Sequence, residues 1–263
     1  MMDDVESTKT QAGRDHVGSL TRGLAVMEIL AAHPAGLTLT EMAEKAGLTR
    51  AGARRFLLTL VASGYAVQDG RKFQLSPRLI ATARIWISGQ TLWAYGEQFM
   101  RELSNRLNES CSAAVLADED VVYVARVAGQ RILSVALHVG TRLPAICTAM
   151  GRVLLSGLSQ EELERFLARA RIEARTPKTI TDRAQLAREI ALIRNKGYAT
   201  MDEELEIGLR SIAVPIRDRS GAIVAAINVS TQSARFSVSG MEEELLPHLR
   251  AAAASLEDYF VVH

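Results

Sequence analysis

Apolar residues between Leu37 and Leu60 follow two helical repeats separated by one glycine. The first repeat has the three- and four-residue spacing of a helix with one buried face, at Leu39, Met42, Ala43 and Ala46. Gly47 then suits a sharp turn, since it has no Cβ, and Thr49 is placed to cap a second helix. The second helix has its own apolar face, at Ala53, Phe56, Leu57, Leu60 and Val61. The pattern predicts a helix-turn-helix; an ordinary helical hairpin in a core is the alternative.

A helix precedes this pair and a hairpin follows it. Residues 17–32 predict a helix with one apolar face, formed by Leu20, Leu24, Met27 and Ala31. Residues 65–75 alternate between apolar and polar around Asp69-Gly70, which is typical of a hairpin with a type I′ turn. Three helices and a hairpin predict a winged helix-turn-helix over residues 16–76, after a disordered tail at 1–15.

The remaining chain predicts a linker and a second domain. Ser76-Pro77 suits a helix start, and residues 77–94 predict a linker helix whose Trp86 and Trp93 pack either on a second subunit or on the chain's own second domain. Residues 95–263 predict an α+β domain with a mostly antiparallel sheet. Its predicted strands are 112–117, 121–127, 132–138, 198–201, 211–217 and 222–230, and its helices are 99–107, 150–157, 159–170, 182–196 and 241–262.

Composition excludes several classes of protein. The 263 residues are 48% hydrophobic and carry a net charge of +1, which is ordinary for a globular protein. The polar start and the lack of a long apolar run predict neither a signal peptide nor a membrane span, so the cytoplasm is the expected location. Cys111 and Cys147 lie far apart, which disfavours a disulfide scaffold or a zinc finger.

Positive charge is concentrated on the winged helix. Residues 16–84 have nine Lys or Arg against four acids, as DNA binding requires, although a solvated basic face is the alternative. The second helix of the pair has a slender basic start that suits a major groove, and the wing tip is basic too. The candidate DNA contacts are Arg22, Thr49, Arg50, Ala51, Arg54, Arg55, Arg71 and Lys72.

The second domain has few catalytic signatures, and neither a cofactor nor a metal is expected. It lacks GxSxG, HExxH, P-loop and GxGxxG motifs, and the acidic runs at 118–120 and 202–204 are interpreted as a turn tip and a solvated loop. Two stretches favour a pocket. Residues 140–155 enter a helix near Met150. The free N–H groups at the start of such a helix suit a carboxylate. In residues 206–230, Asn228 and Ser230 share one strand face, either as satisfied core residues or as a cavity lining.

Three motifs together resemble the IclR family of bacterial transcriptional regulators. They are TEMAEKAGLTRAGARRFLLTL, GTRLPAICTAMGRVLL and EIGLRSIAVPIRDRSGAIVAAINVS, and the resemblance runs from about residue 17 to the end. The sequences of these motifs are similar to those of the branch that governs aromatic-acid catabolism. The resemblance implies a winged-helix DNA-binding domain, a dimerising linker helix and a GAF-like domain that binds a small organic acid. It also implies a homodimer or homotetramer on palindromic operator DNA.

The resemblance also implies the ligand site. In the family the acid lies against the helix after the TAMG-like segment, and the matching pocket positions are Ala149, Met150, Gly151, Leu209, Ser211, Asn228 and Ser230. Members that bind very small keto acids can have a cysteine and serines where this chain has Ser211 and Asn228, so their ligand does not transfer. Aromatic acids or β-ketoadipate are the expected effectors. Further candidate carboxylate partners are Arg142, Arg152 and His138.

The sequence leaves two alternatives to a ligand-responsive regulator. One is an enzyme that acts on a small organic acid and uses the winged helix to contact another protein. The other is an architectural nucleic-acid binder without a ligand.

Overall fold

The structure, a computed structural model, describes residues 17–82, 92–129 and 137–262. The chain divides into two units between Gly89 and Gln90. The predicted tail at 1–15, most of the linker helix at 77–94 with Trp86, and most of the strand at 132–138 lie outside the described residues. Residues 78–82 are helical.

The first unit is the predicted winged helix-turn-helix. Its elements are helix α1 (Gly18–Ala31), strand β1 (Leu37–Thr38), helices α2 (Leu39–Lys45) and α3 (Arg50–Ala62), and strands β2 (Ala66–Asp69) and β3 (Lys72–Leu75). The three strands form an antiparallel sheet in the order β1-β3-β2. The short strand β1 was not predicted, because two residues carry too little pattern.

Local capping explains the helix-turn-helix. The Thr38 side chain accepts from the Glu41 N–H while Glu41 accepts from the Thr38 N–H, a capping box that starts α2. Gly47 has φ +61° in the turn, and the Thr49 hydroxyl accepts from the Gly52 N–H at 3.1 Å to start α3. The predicted apolar faces of α2 and α3 meet in one core, so the helix-turn-helix is confirmed.

Two details of this unit were predicted wrongly. The buried face of α1 is formed by Val26 and Leu30, whereas Leu20 is 62% and Leu24 47% exposed. Periodicity alone does not say which of two apolar stripes is packed. The hairpin turn is Gly70-Arg71, since Asp69 pairs with Lys72 in the sheet, and only the glycine has positive φ. That conformation matches a type II′ turn and not type I′.

The second unit is an α+β domain around an antiparallel sheet, as predicted. The six strands lie in the order β6-β5-β4-β9-β8-β7 and every neighbouring pair is antiparallel. They are β4 (Ser110–Ala117), β5 (Asp120–Val127), β6 (Arg142–Pro144), β7 (Ala199–Asp202), β8 (Leu209–Arg217) and β9 (Ile223–Gln232).

Helices cover both faces of this sheet. The helices are α4 (Leu92–Leu107), α5 (Ala149–Ser156), α6 (Gln160–Arg169), α7 (Arg183–Lys196) and α8 (Leu246–Glu257). Helices α5, α6 and α7 share one apolar core, while α4 and α8 share the other. Helix α4 runs across the predicted boundary between residues 94 and 95. The predicted closing helix is divided into a π-helical turn (Met241–Leu245), α8 and a short helix (Tyr259–Val262).

Helix α5 lies deep in the domain because one of its residues has no side chain. All eight of its residues are buried. A Cβ on Gly151 would lie 2.1 Å from the carbonyl oxygen of Ala145, so the preceding 3-10 turn (Ala145–Cys147) packs directly on the helix backbone. This close approach sets where the start of α5 meets the sheet.

A buried ion pair ties the start of α5 to the loop before β8. The Arg152 guanidinium donates to both Glu204 oxygens, at 2.8 and 2.6 Å, and to the Ile146 carbonyl at 2.8 Å. Glu204 also accepts from the Ile180 N–H at 3.0 Å. Both side chains are almost fully buried. The pair therefore fixes loop 203–208 against the 3-10 turn.

Replacing Gly151 with alanine is expected to destabilise the second domain by about 3 kcal/mol, because the added methyl group meets backbone that cannot move aside cheaply. Urea unfolding of the full chain measures this change. Gly23→Ala is the control, since its Cβ would meet Phe56 at an ordinary 3.7 Å. An unchanged midpoint for Gly151→Ala would contradict the close approach.

Removing one member of the buried ion pair is expected to cost about 3–5 kcal/mol, because the other charge is left buried without a partner. Glu204→Leu should show this loss in urea unfolding. The double variant Arg152→Met, Glu204→Leu should recover most of it, since no uncompensated charge remains. Equal destabilisation of the single and double variants would rule out this account of the pair.

Candidate functional site

A small enclosed cavity lies between the start of α5 and the sheet, and it joins the two stretches that favoured a pocket. Its volume is about 30 Å³. The residues lining it are Tyr123, Leu137, Cys147, Thr148, Ala149, Met201, Leu205, Leu209, Ser211, Asn228 and Ser230. No charged side chain is among these lining residues.

The start of α5 presents hydrogen-bond donors to this region. Thr148 caps the helix, because its hydroxyl accepts from the Gly151 N–H at 3.1 Å and its carbonyl accepts from Arg152 N–H. Ala149 and Met150 are the first two residues of α5, so their N–H groups have no acceptor within the helix, and both residues are only 1% exposed. The positive end of the helix dipole adds to the attraction for an anion.

The sheet presents a polar patch to the same cavity. Ser230 lies opposite Ser211 on β8, and Asn228 shares its strand face. The Asn228 amide nitrogen donates to the Ser230 hydroxyl at 3.0 Å. The Asn228 amide oxygen is buried and has no partner among the described residues, and the residue as a whole is 4% exposed. A buried acceptor left in this state costs about 1–3 kcal/mol.

The cavity is polar at both sides but too small for an aromatic ring. A dry cavity that holds benzene has about 150 Å³, whereas about 30 Å³ suits one or two water molecules. A larger ligand must displace apolar lining side chains. Among them, Leu205 lies in the loop before β8 and Leu209 is the first residue of β8. The arrangement can therefore bind a small polar anion once that wall moves.

Seven site residues came from the resemblance, and the cavity includes five of them: Ala149, Leu209, Ser211, Asn228 and Ser230. Met150 and Gly151 are buried in α5 beside it without lining it. Met150 packs into the apolar core, and Gly151 contacts the Ala145 backbone.

The three added carboxylate partners do not line the cavity. His138 is exposed and its ring contacts the Val139 carbonyl and Thr141 hydroxyl. Arg142 is on the surface, where it pairs with Asp120 at 3.0 Å. Arg152 is engaged by Glu204. Proximity in sequence to the α5 start did not bring these cations to the cavity, because carboxylates distant in sequence hold both arginines.

Sequence reasoning missed several lining residues. Tyr123 is an inward residue of β5, and burial raises the pKa of its hydroxyl to about 12, so it stays protonated as a hydrogen-bond donor. Cys147 also lines the cavity, and burial raises the pKa of its thiol. Strand alternation signals Tyr123, whereas Met201 and Leu205 reach the cavity only through the tertiary fold.

The acidic run at 202–204 forms ion pairs and is not the solvated loop that was expected. Asp202 contacts both Lys178 and Arg210, and Glu203 contacts Lys178 at 2.7 Å. The Lys178 ammonium lowers the pKa of both carboxyls. Over the described ranges, no cluster of three or more metal-ligating side chains occurs, and none of the helices there is both long and apolar enough to cross a membrane.

The predicted DNA contacts form an exposed basic surface on the first unit. Arg50, Ala51, Arg54 and Arg55 are exposed on α3, Thr49 is exposed at its start, and Arg22 is exposed on α1. Arg71 lies in the wing turn, and Lys72 follows it with its ammonium 3.4 Å from the Ala35 carbonyl. In the described part of the chain, none of these arginines forms an ion pair. Their charges are therefore available to phosphates.

Both units match families of known regulators. Residues 19–70 match the IclR helix-turn-helix domain, and residues 86–258 match the bacterial transcriptional regulator IclR C-terminal domain. The Pca regulon regulatory protein of Pseudomonas putida is 40% identical over 92% of this chain and 84% of its own length. The p-hydroxybenzoate hydroxylase transcriptional activator of Acinetobacter baylyi is 32% identical over 93% and 92%.

Solved structures agree with these matches. A transcriptional regulator from Rhodococcus sp. RHA1 is 42% identical, with a TM-score of 0.80 over 94% of this chain and 99% of that one. An IclR homolog from Microbacterium hydrocarbonoxydans, solved in complex with 4-hydroxybenzoate, is 25% identical, with a TM-score of 0.82 over 94% of this chain and 100% of that one. The chain belongs to the IclR family of bacterial transcriptional regulators.

Proposed function

We propose that this regulator binds operator DNA through α3 and the wing, and that a small organic acid in the cavity beside α5 controls the binding. The unpartnered Asn228 oxygen carries this proposal, together with the first two N–H groups of α5, at Ala149 and Met150, across the cavity. Buried polar groups without partners are rare in proteins. A ligand that binds them removes the free-energy cost of leaving them without hydrogen bonds.

The DNA side follows from exposed charge and shape. The start of α3 combines Arg50 and Arg54 with the small side chain of Ala51, so the helix can approach base edges in a major groove. Arg71 at the wing tip reaches the DNA backbone. A homodimer or homotetramer would bind half-sites one or more helical turns apart. Such a regulator acts in the cytoplasm.

Control by the acid requires different affinities for two arrangements of the protein. The acid favours the arrangement in which the cavity is open, and DNA favours one arrangement of the two winged helices in a dimer. Each ligand then changes the affinity for the other by the same factor.

The relatives support the class of effector and pathway. Two of them are named for the Pca regulon and for p-hydroxybenzoate hydroxylase, and a structural neighbour was solved with 4-hydroxybenzoate. We infer that this chain regulates aromatic-compound catabolism in the protocatechuate, 4-hydroxybenzoate and β-ketoadipate pathway. The enzyme alternative lacks support, because Cys147 is the one thiol lining the cavity, its pKa is raised, and no histidine lines the cavity beside it.

Replacing Arg54 and Arg55 with alanine is expected to weaken operator binding at least tenfold, because two phosphate or base contacts are lost. The slope of log affinity against log salt should fall by about one for each lost phosphate contact. Gel-shift titrations at several salt concentrations measure both. Arg188→Ala, an exposed arginine on α7, is the control. Unchanged affinity in the double variant would remove α3 from the DNA interface.

Replacing Asn228 with leucine is expected to have two opposite effects. Without ligand the protein should become more stable by about 1 kcal/mol, because an unsatisfied buried amide is removed. With protocatechuate, 4-hydroxybenzoate or β-ketoadipate at a hundred times the dissociation constant, the wild type should gain about 2.7 kcal/mol. The variant should gain much less.

Thermal melts with and without each acid measure these effects, and the exposed Asn195→Leu serves as the control. Full stabilisation of Asn228→Leu by the acid that stabilises the wild type would show that Asn228 does not contact the effector.

A further inference from the structure

Arg126 lies on the same face of the sheet as the polar patch and was not among the predicted site residues. On β5 it is opposite Ser112 of β4, and Ser112 is opposite Asn228 of β9. Its Nη1 donates to the Ser112 hydroxyl at 3.2 Å. The three residues thus form one polar row across three neighbouring strands, with Asn228 at the cavity.

This arginine has no counter-ion in the described structure. Arg142, Arg152 and Arg210 each pair with a carboxylate, whereas no aspartate or glutamate pairs with Arg126 among the described residues. The segment 130–136 that follows β5 contains no acidic residue either. The side chain is half-buried, and burial lowers the pKa of its guanidinium. Partial burial carries a desolvation cost for the cation, which an anionic ligand would offset.

The row brings the guanidinium close to the cavity. Residues directly opposite on antiparallel strands have Cβ atoms about 4.5–5.5 Å apart. The Ser112 hydroxyl that Arg126 contacts is therefore close enough to the Asn228 amide for one carboxylate to reach both. Arginine suits this role, because its planar fork can donate two parallel hydrogen bonds to a carboxylate. Arg126 does not line the cavity in its present form. A ligand that widens the cavity along this row would have one anion-binding group at the sheet and a second at the start of α5.

We propose that the preferred effector is a dicarboxylic acid, with one carboxylate on Arg126 and Ser112 and the other on the N–H groups of Ala149 and Met150. This inference rests on the proposed function, since it assigns the second charge of the same ligand. The Asn228 amide and Ser230 hydroxyl then contact the middle of the molecule. A monocarboxylate such as 4-hydroxybenzoate would use one of the two anion-binding groups.

Matched acids test this proposal by isothermal titration calorimetry on the full chain. Terephthalate is compared with benzoate and 4-hydroxybenzoate, and adipate is compared with hexanoate, so that each pair differs in the second carboxylate. We expect the dicarboxylate to bind the wild type at least tenfold more tightly. Arg126→Gln should remove this advantage, and a cooperative urea unfolding transition shows that the variant is folded. Arg142→Gln is the control, because Arg142 is a surface arginine of the neighbouring strand.

The outcomes separate this inference from the proposed function. Equal affinity of the wild type for mono- and dicarboxylates, or an undiminished dicarboxylate advantage in Arg126→Gln, would overturn the assignment to Arg126 while acid binding itself stands. A wild type that binds none of the acids would overturn the proposed function. If Arg126→Gln does not fold, Arg126→Lys replaces it, and we expect a reduced but measurable dicarboxylate advantage because the charge remains without the planar fork. An unreduced advantage in Arg126→Lys would overturn the paired contact.

Discussion

Buried polar groups without partners are the constraint on which this effector domain depends. A helix normally leaves its first N–H groups to solvent or to capping side chains. In α5 the Thr148 cap satisfies Gly151, and the N–H groups of Ala149 and Met150 are buried without an acceptor in the helix. Across the cavity, the Asn228 oxygen is also buried and has no partner among the described residues. A small anion that joins these groups converts a cost of folding into binding affinity.

Two packing contacts of the fold keep these polar groups buried. The absent side chain of Gly151 lets α5 pack on the Ala145 backbone, which leaves the start of the helix buried. The Arg152–Glu204 pair fixes the loop that supplies Leu205 to the cavity wall. Since the cavity holds about 30 Å³, a ligand larger than one or two water molecules must move that wall.

Local patterns predicted the winged helix well because each of its signals is local. Gly47, Thr49 and the apolar stripes of α2 and α3 act within a few residues of one another, so the sequence sufficed there. The cavity was predicted in part, because strand alternation gave Asn228 and Ser230. Pairing between distant strands decided the rest. Arg142 and Arg152 are held by carboxylates remote in sequence, and only the β5-β4-β9 register puts Arg126, Ser112 and Asn228 in one row.

Amide NMR of the full chain during titration with a bound acid tests the central claim most directly. The account predicts that the amide protons of Ala149 and Met150 shift downfield as they begin to donate to the acid. The Gly151 amide, already bonded to Thr148, should change little and is an internal control. If the acid saturates the protein while the Ala149 and Met150 amides keep their positions, the acid binds elsewhere and the account is contradicted.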